Sequence, residues 1–242
     1  MIGEEQFVVS SDAKGDWHRN IVSLREPVDL FDALADDEAG RQVLLEHEMA
    51  TKPYAEPAPA LTRPFEQAEM ITRVADAIDW PYAHPNVSRF SDGRFGVWYG
   101  AGTLETSIRE TAFHFWQDET GNLDLPESTR EIHRGRQVFL VECTAALVDL
   151  RPLVGNYPDL LHPDDYGFCQ ALGRQVRDDH LPGLINPSVR DPRGLVAAVF
   201  DPRALTRVRQ LCYLDYFLDV RNQRVRVQRR PGRNDLTLAF ED

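Results

Sequence analysis

Residues 86–117 constrain the fold of this 242-residue chain more than any other stretch, because the apolar pattern changes there from strand-like to helical. Residues 87–90 predict a short strand, Ser91-Asp92-Gly93 a turn, and residues 95–100 a second strand rich in aromatic and β-branched side chains. Gly100 and Gly102 end it. Thr103 then predicts a helix N-cap, with Glu105 in the first turn near the positive end of the helix dipole. Leu104, Ile108, Ala112 and Phe115 recur at helical spacing up to about Gln117 and form a core stripe. Ser107, Glu110 and His114 share a different, polar face.

Around this unit the chain divides in two. Residues 1–80 predict an acidic, mainly helical extension, with 17 acidic against 7 basic residues. Residues 28–49 predict two short helices interrupted at Asp36-Asp37-Glu38-Ala39-Gly40. Four prolines in residues 53–64 predict a linker, and residues 65–78 a further helix closed by Pro81 and Pro85. Residues 81–242 predict the main domain. Its strands fall at 137–142, 146–150, 183–189 and 195–200, its second helix at 164–179, and a closing hairpin spans 224–227 and 236–240.

Composition narrows the function. A formal charge of −12 repels phosphate backbones, which argues against direct nucleic-acid binding. No apolar run approaches the ~20 residues of a membrane helix, and the N-terminus lacks a signal-peptide pattern. Three cysteines without a C-x-x-C fit a reducing compartment, so a cytoplasmic location is expected. Seven scattered histidines show no zinc spacing, and no metal site is expected. There is no G-x-S-x-G, G-x-G-x-x-G or P-loop.

Polar groups then stand out where structure alone has little use for them: Arg89, Tyr99, Glu110, and Ser188 in Asn186-Pro187-Ser188-Val189-Arg190. Arginine is the natural bidentate partner of phosphate. A carboxylate can stabilise an oxocarbenium-like sugar carbon or activate an attacking nucleophile. Hydroxyls can hold ribose or an amide. Each also has a plain structural reading: Arg89 paired with Asp92, Tyr99 a sheet aromatic, Glu110 a solvated helix residue, Ser188 a turn cap. His114, Arg190 and Asn186 are weaker substrate-binding candidates.

The segments R-F-S-D-G-R-F-G-V-W-Y-G-A, E-T-S-I-R-E-T-A-F-H and, some 75 residues on, P-S-V-R resemble the RES domain family over residues 86–203. The resemblance implies an α+β fold similar to ADP-ribosyltransferases, with mixed sheets and flanking helices behind the N-terminal helical extension. It places the family's arginine, tyrosine, glutamate and serine on Arg89, Tyr99, Glu110 and Ser188. It implies degradation of NAD as substrate, by hydrolysis or with inorganic phosphate as co-substrate, and no further cofactor. Members are typically toxins of bacterial toxin–antitoxin pairs, so a helix-turn-helix antitoxin is the implied partner, and a homodimer is common. Two alternatives stay open: transfer of ADP-ribose to a macromolecule, and an inactive partner-binding module.

Overall fold

The computed structural model describes residues 2–3, 7–23, 75–121, 131–229 and 234–240. Its centre is a ten-stranded mixed sheet. The strands are β1 (Val8–Ser10), β2 (Gly15–Val22), β5 (Trp98–Ala101), β6 (Glu131–Cys143), β7 (Leu147–Asp149), β8 (Gly183–Pro187), β9 (Leu195–Val199), β10 (Leu205–Asp219), β11 (Arg224–Gln228) and β12 (Asn234–Ala239). Their spatial order is β1-β7-β8-β9-β5-β2-β6-β10-β11-β12. Only β7 and β8 run parallel. A separate two-stranded ribbon joins β3 (Val87–Ser88) to β4 (Ser91–Asp92). The helices are α1 (Trp80–Ala83), α2 (Leu104–Thr120) and α3 (Gly167–Asp178), so the fold is α+β as expected.

Each long helix covers one half of the sheet. Ile108, Ala112 and Phe115 of α2 pack on Val138, Tyr216, Leu218, Val225 and Val227. Cys169, Leu172 and Val176 of α3 pack on Leu150, Leu184 and Phe90. Between them Trp98 is fully buried against Trp17, Phe139 and Val199, and its indole N–H donates to the Ala77 carbonyl at 2.7 Å. Thr103 caps α2 as expected, its hydroxyl accepting from the Thr106 N–H at 3.0 Å. A cap of this kind contributes about 1 kcal/mol.

The sheet is not evenly paired. β2 matches β6 along its whole length, yet meets β5 through the single pair His18–Ala101. Continuing that register would set Arg19 opposite Gly100 and Asn20 opposite Tyr99. The strands diverge instead, and the Arg19 guanidinium donates to the Tyr99 carbonyl at 3.1 Å, taking up an acceptor that the missing ladder leaves open. This split opens a cleft in the middle of the sheet.

Several sequence expectations are corrected here. Val8–Ser10 and Gly15–Val22, assigned to a helical extension, are strands of the main sheet. The expected helices in 28–49, the linker 53–64 and most of the helix 65–78 lie outside the described residues. Pro81 does not close that last helix: a π-helical turn at Ala75–Asp79 runs directly into α1, Pro81 lies within the stretch, and the helix ends at Ala83, two residues before Pro85. Ser91 and Asp92 are strand, and the turn falls at Arg89-Phe90, because Ser88 pairs with Ser91. The 15-residue β10 was not foreseen, since irregularities between Thr206 and Arg209 and between Gln210 and Cys212 break its alternation.

Candidate active site

The cleft has a volume of about 530 Å³. Its walls come from β2, the ribbon, β5, α2, the segment 164–166 and the end of β8. Arg89, Tyr99, Glu110, His114, Asn186 and Arg190 all line it. Ser188 does not; it lies buried behind Glu110.

Arg89 occupies the ribbon's turn. The turn is fixed from two sides. Gly173 of α3 packs so closely that a Cβ there would stand 2.1 Å from the Phe90 carbonyl. From below, the Tyr99 hydroxyl accepts the Phe90 N–H at 3.0 Å and shares a hydrogen bond with Ser88 Oγ at 2.8 Å. The Arg89 guanidinium lies over the Tyr166 ring and donates to the His162 carbonyl at 2.8 Å. It does not pair with Asp92, whose carboxylate meets Arg94 and Arg174.

Burial pushes the Tyr99 phenol up to about 12, against the pull of its Ser88 and Phe90 hydrogen bonds, so it stays protonated at neutral pH. Tyr99 is therefore a brace for the arginine turn. Tyr99→Phe strands the Ser88 hydroxyl and the Phe90 N–H. Urea denaturation is expected to show a loss of about 1–3 kcal/mol, the usual cost of a buried unsatisfied group; an unchanged midpoint would remove the brace.

Glu110 is presented on the polar face of α2. Its Oε1 accepts from Ser188 Oγ at 2.5 Å. The backbone N–H groups of Arg190 and Asp191 point at the same Ser188 oxygen, at 3.2 and 2.9 Å. Those amides can only donate, so the serine proton must go to Glu110. Glu110 Oε2 has no hydrogen bond among the described residues. The Ser188 turn is tied to the start of α2 by the Thr106 hydroxyl, which donates to Asp191 at 2.7 Å, beneath Gly194.

His114 stands one turn after Glu110 at the cleft mouth, part of its surface exposed and the rest closed in by the cleft walls. Desolvation by the surrounding walls lowers its pKa, opposed by Glu110 and Asp118. His18, across the cleft, is lowered by the same cause, opposed by its contact to the Ala101 carbonyl and by Asp16. The folded chain thus binds fewer protons than the unfolded chain just below the ordinary histidine value of about 6.5. Stability from these groups is full above that value and falls as pH drops through it. The urea midpoint is expected to fall between pH 7 and about 5.5, and less steeply in His114→Gln; equal slopes would show that His114 does not contribute.

Arg190 stacks 3.3 Å from the Phe113 ring centroid, donates to the Pro163 carbonyl at 2.7 Å and stands 3.6 Å from Asp164. Asn186 is buried; its amide donates to the Pro187 carbonyl at 2.9 Å, while Oδ1 is left unpartnered among the described residues.

Arg19 was missed by the sequence. It lines the cleft, its Nε is buried without a partner among the described residues, and desolvation lowers its pKa to about 10, which leaves it charged. The signal was available: Trp17, Arg19 and Ile21 alternate on one strand face, and a charge at an inward position of such a face is out of place. Arg19, Arg89 and Arg190 balance the carboxylates of Glu110, Asp118 and Asp164 in the cleft lining, so both signs of charge are presented there within an acidic protein. Among the described residues no cluster of His, Cys, Asp and Glu is arranged to hold a metal, and no helix is long and apolar enough to cross a membrane.

No curated protein matches this sequence. Among solved structures, the M. tuberculosis MbcT–MbcA toxin–antitoxin complex is similar at 19% identity and a TM-score of 0.34, covering 51% of this chain and 71% of that one. The RES domain model matches residues 60–219, a span that holds Arg89, Tyr99, Glu110 and Ser188 and leaves Arg19 outside; the chain belongs to the RES domain family.

Proposed function

We propose that the protein degrades NAD by breaking the bond between the nicotinamide nitrogen and C1 of its ribose, as the toxin of a toxin–antitoxin pair. The observation that carries this reading is the Ser188–Glu110 contact, which fixes a carboxylate in the wall of an arginine-lined cleft. The cleft volume lies within the usual range of about 300–1,000 Å³ for ligand sites.

In this reading Arg89 and Arg190 hold the diphosphate, and Arg19 supplies a third, buried cation. The scissile bond leaves its electron pair on nicotinamide, which departs neutral. Positive charge develops at C1, and Glu110 stabilises it. Water or inorganic phosphate then attacks C1; water gives its proton to the medium or to Glu110. Ser188 serves by orienting Glu110, since its oxygen and its proton are both engaged. The sequence expected it to meet ribose or carboxamide directly. The unpartnered Asn186 Oδ1 is the better match for a carboxamide N–H.

An antitoxin that covers the cleft and a cytoplasmic setting are part of the same reading, which membership of the RES domain family supports. The test is to mix purified protein with NAD, with and without phosphate, and identify products by mass. Nicotinamide with free ADP-ribose or its 1″-phosphate is expected. ADP-ribose attached to protein would favour transfer, and unchanged NAD would overturn the reading.

A further inference from the structure

A second hollow of about 280 Å³ adjoins the cleft, lined by Arg109, Phe113, Arg190, Leu238, Ala239 and Phe240. Arg190 lines both cavities. We propose that this hollow is the adenine subsite of the dinucleotide, so that NAD crosses the Arg190 side chain with its diphosphate and places one ring in each cavity. This rests on the reading of the cleft as the site of NAD cleavage.

Three observations support the assignment. The first is the shared cation. A dinucleotide is two nucleosides joined by a diphosphate, and a guanidinium common to two cavities stands where that anion must pass. Arg190 spends one N–H on Pro163 and keeps others for phosphate oxygens. The second is the aromatic wall. Phe240 stacks on Trp116 with centroids 5.2 Å apart and planes 19° apart, and meets Phe113 edge-on at 6.1 Å. Such a shelf suits a flat purine, since bases stack favourably on aromatic side chains.

The third observation sets the direction. The nicotinamide ring of NAD is a cation, whereas adenine is neutral. The main cleft holds the carboxylates of Glu110, Asp118 and Asp164. Among the described residues the second hollow is lined by two arginines and no carboxylate. Arg109 is held there by Glu105 through Nε and Nη2, at 3.1 and 2.8 Å, with its remaining N–H groups available to the purine ring nitrogens. A pyridinium finds carboxylates in the cleft, Glu110 among them, and none in the described lining of this hollow. Leu238, Ala239 and Phe240 also lie beyond the residues matched by the family model, so this wall belongs to the chain's own closing hairpin.

The test compares two substrates in Phe240→Ala. NAD carries the adenylate; nicotinamide mononucleotide has the same scissile bond without it. The KM for NAD is expected to rise about tenfold with kcat within twofold of wild type, and Phe240→Tyr to restore it. The KM of nicotinamide mononucleotide, or its inhibition constant where it only competes, is expected to stay unchanged. ADP is expected to inhibit the wild type and to lose about tenfold in Phe240→Ala. Equal changes for both ligands, no change for NAD, or no inhibition by ADP would overturn the subsite while leaving the cleavage reading intact. A wild type that leaves NAD untouched would overturn the cleavage reading itself.

Discussion

Glu110→Gln is expected to fold as the wild type does and to consume NAD about 10²–10⁴ times more slowly, the range for loss of a positioned acid–base or charge-stabilising carboxylate. The fold should survive because the amide keeps the same shape and its oxygen can still accept the Ser188 proton, the interaction that holds the side chain. What is lost is the negative charge. No other carboxylate is held by Ser188, and Asp118 and Asp164, although they line the same cleft, stand elsewhere on its wall. Circular dichroism and urea denaturation check the fold, and nicotinamide release checks the rate. Turnover within a few-fold of wild type would take Glu110 out of the mechanism.

The second large effect is expected from Ser188→Ala, a buried change that reaches the cleft through Glu110 and through the backbone of Arg190. It removes the hydroxyl proton from Glu110 and the acceptor from the Arg190 and Asp191 amides. A hydrogen bond to a charged group contributes about 1.5–3 kcal/mol, so turnover is expected to fall about 10–10²-fold, mainly in kcat. The decisive measurement is the double variant. Because Ser188 acts by placing the carboxylate, Ser188→Ala added to Glu110→Gln should cost little more than Glu110→Gln alone. Multiplying effects would mean that Ser188 meets the substrate on its own account.

Much of the local structure was legible from the chain. The Thr103 cap, the α2 stripe and the alternation of Val225 and Val227 with Arg224 and Arg226 follow from short-range pattern, and the structure shows each of them. Such signals are strong because capping and amphipathic burial are decided within a few residues. The ribbon was read one turn out of place, since Arg89, Ser91 and Gly93 can each serve a turn and only the Ser88–Ser91 pairing chooses. β2 was lost inside a segment judged by its acidic composition, and Arg19 was lost with it.

The types of side chain at the site, and their order along the chain, were therefore set by sequence alone: an arginine ahead of a turn, a strand tyrosine, a helical glutamate and a serine before a turn. Their roles were not. Only the structure shows that Tyr99 and Ser188 each spend the hydroxyl on a neighbour, the Phe90 turn and Glu110. The cleft itself exists because β2 and β5 part after one residue pair, and Arg190 serves two cavities because β12 closes beside α2. Divergence of strands and the packing of distant segments depend on the sum of many long-range contacts, and no window of sequence contains that sum.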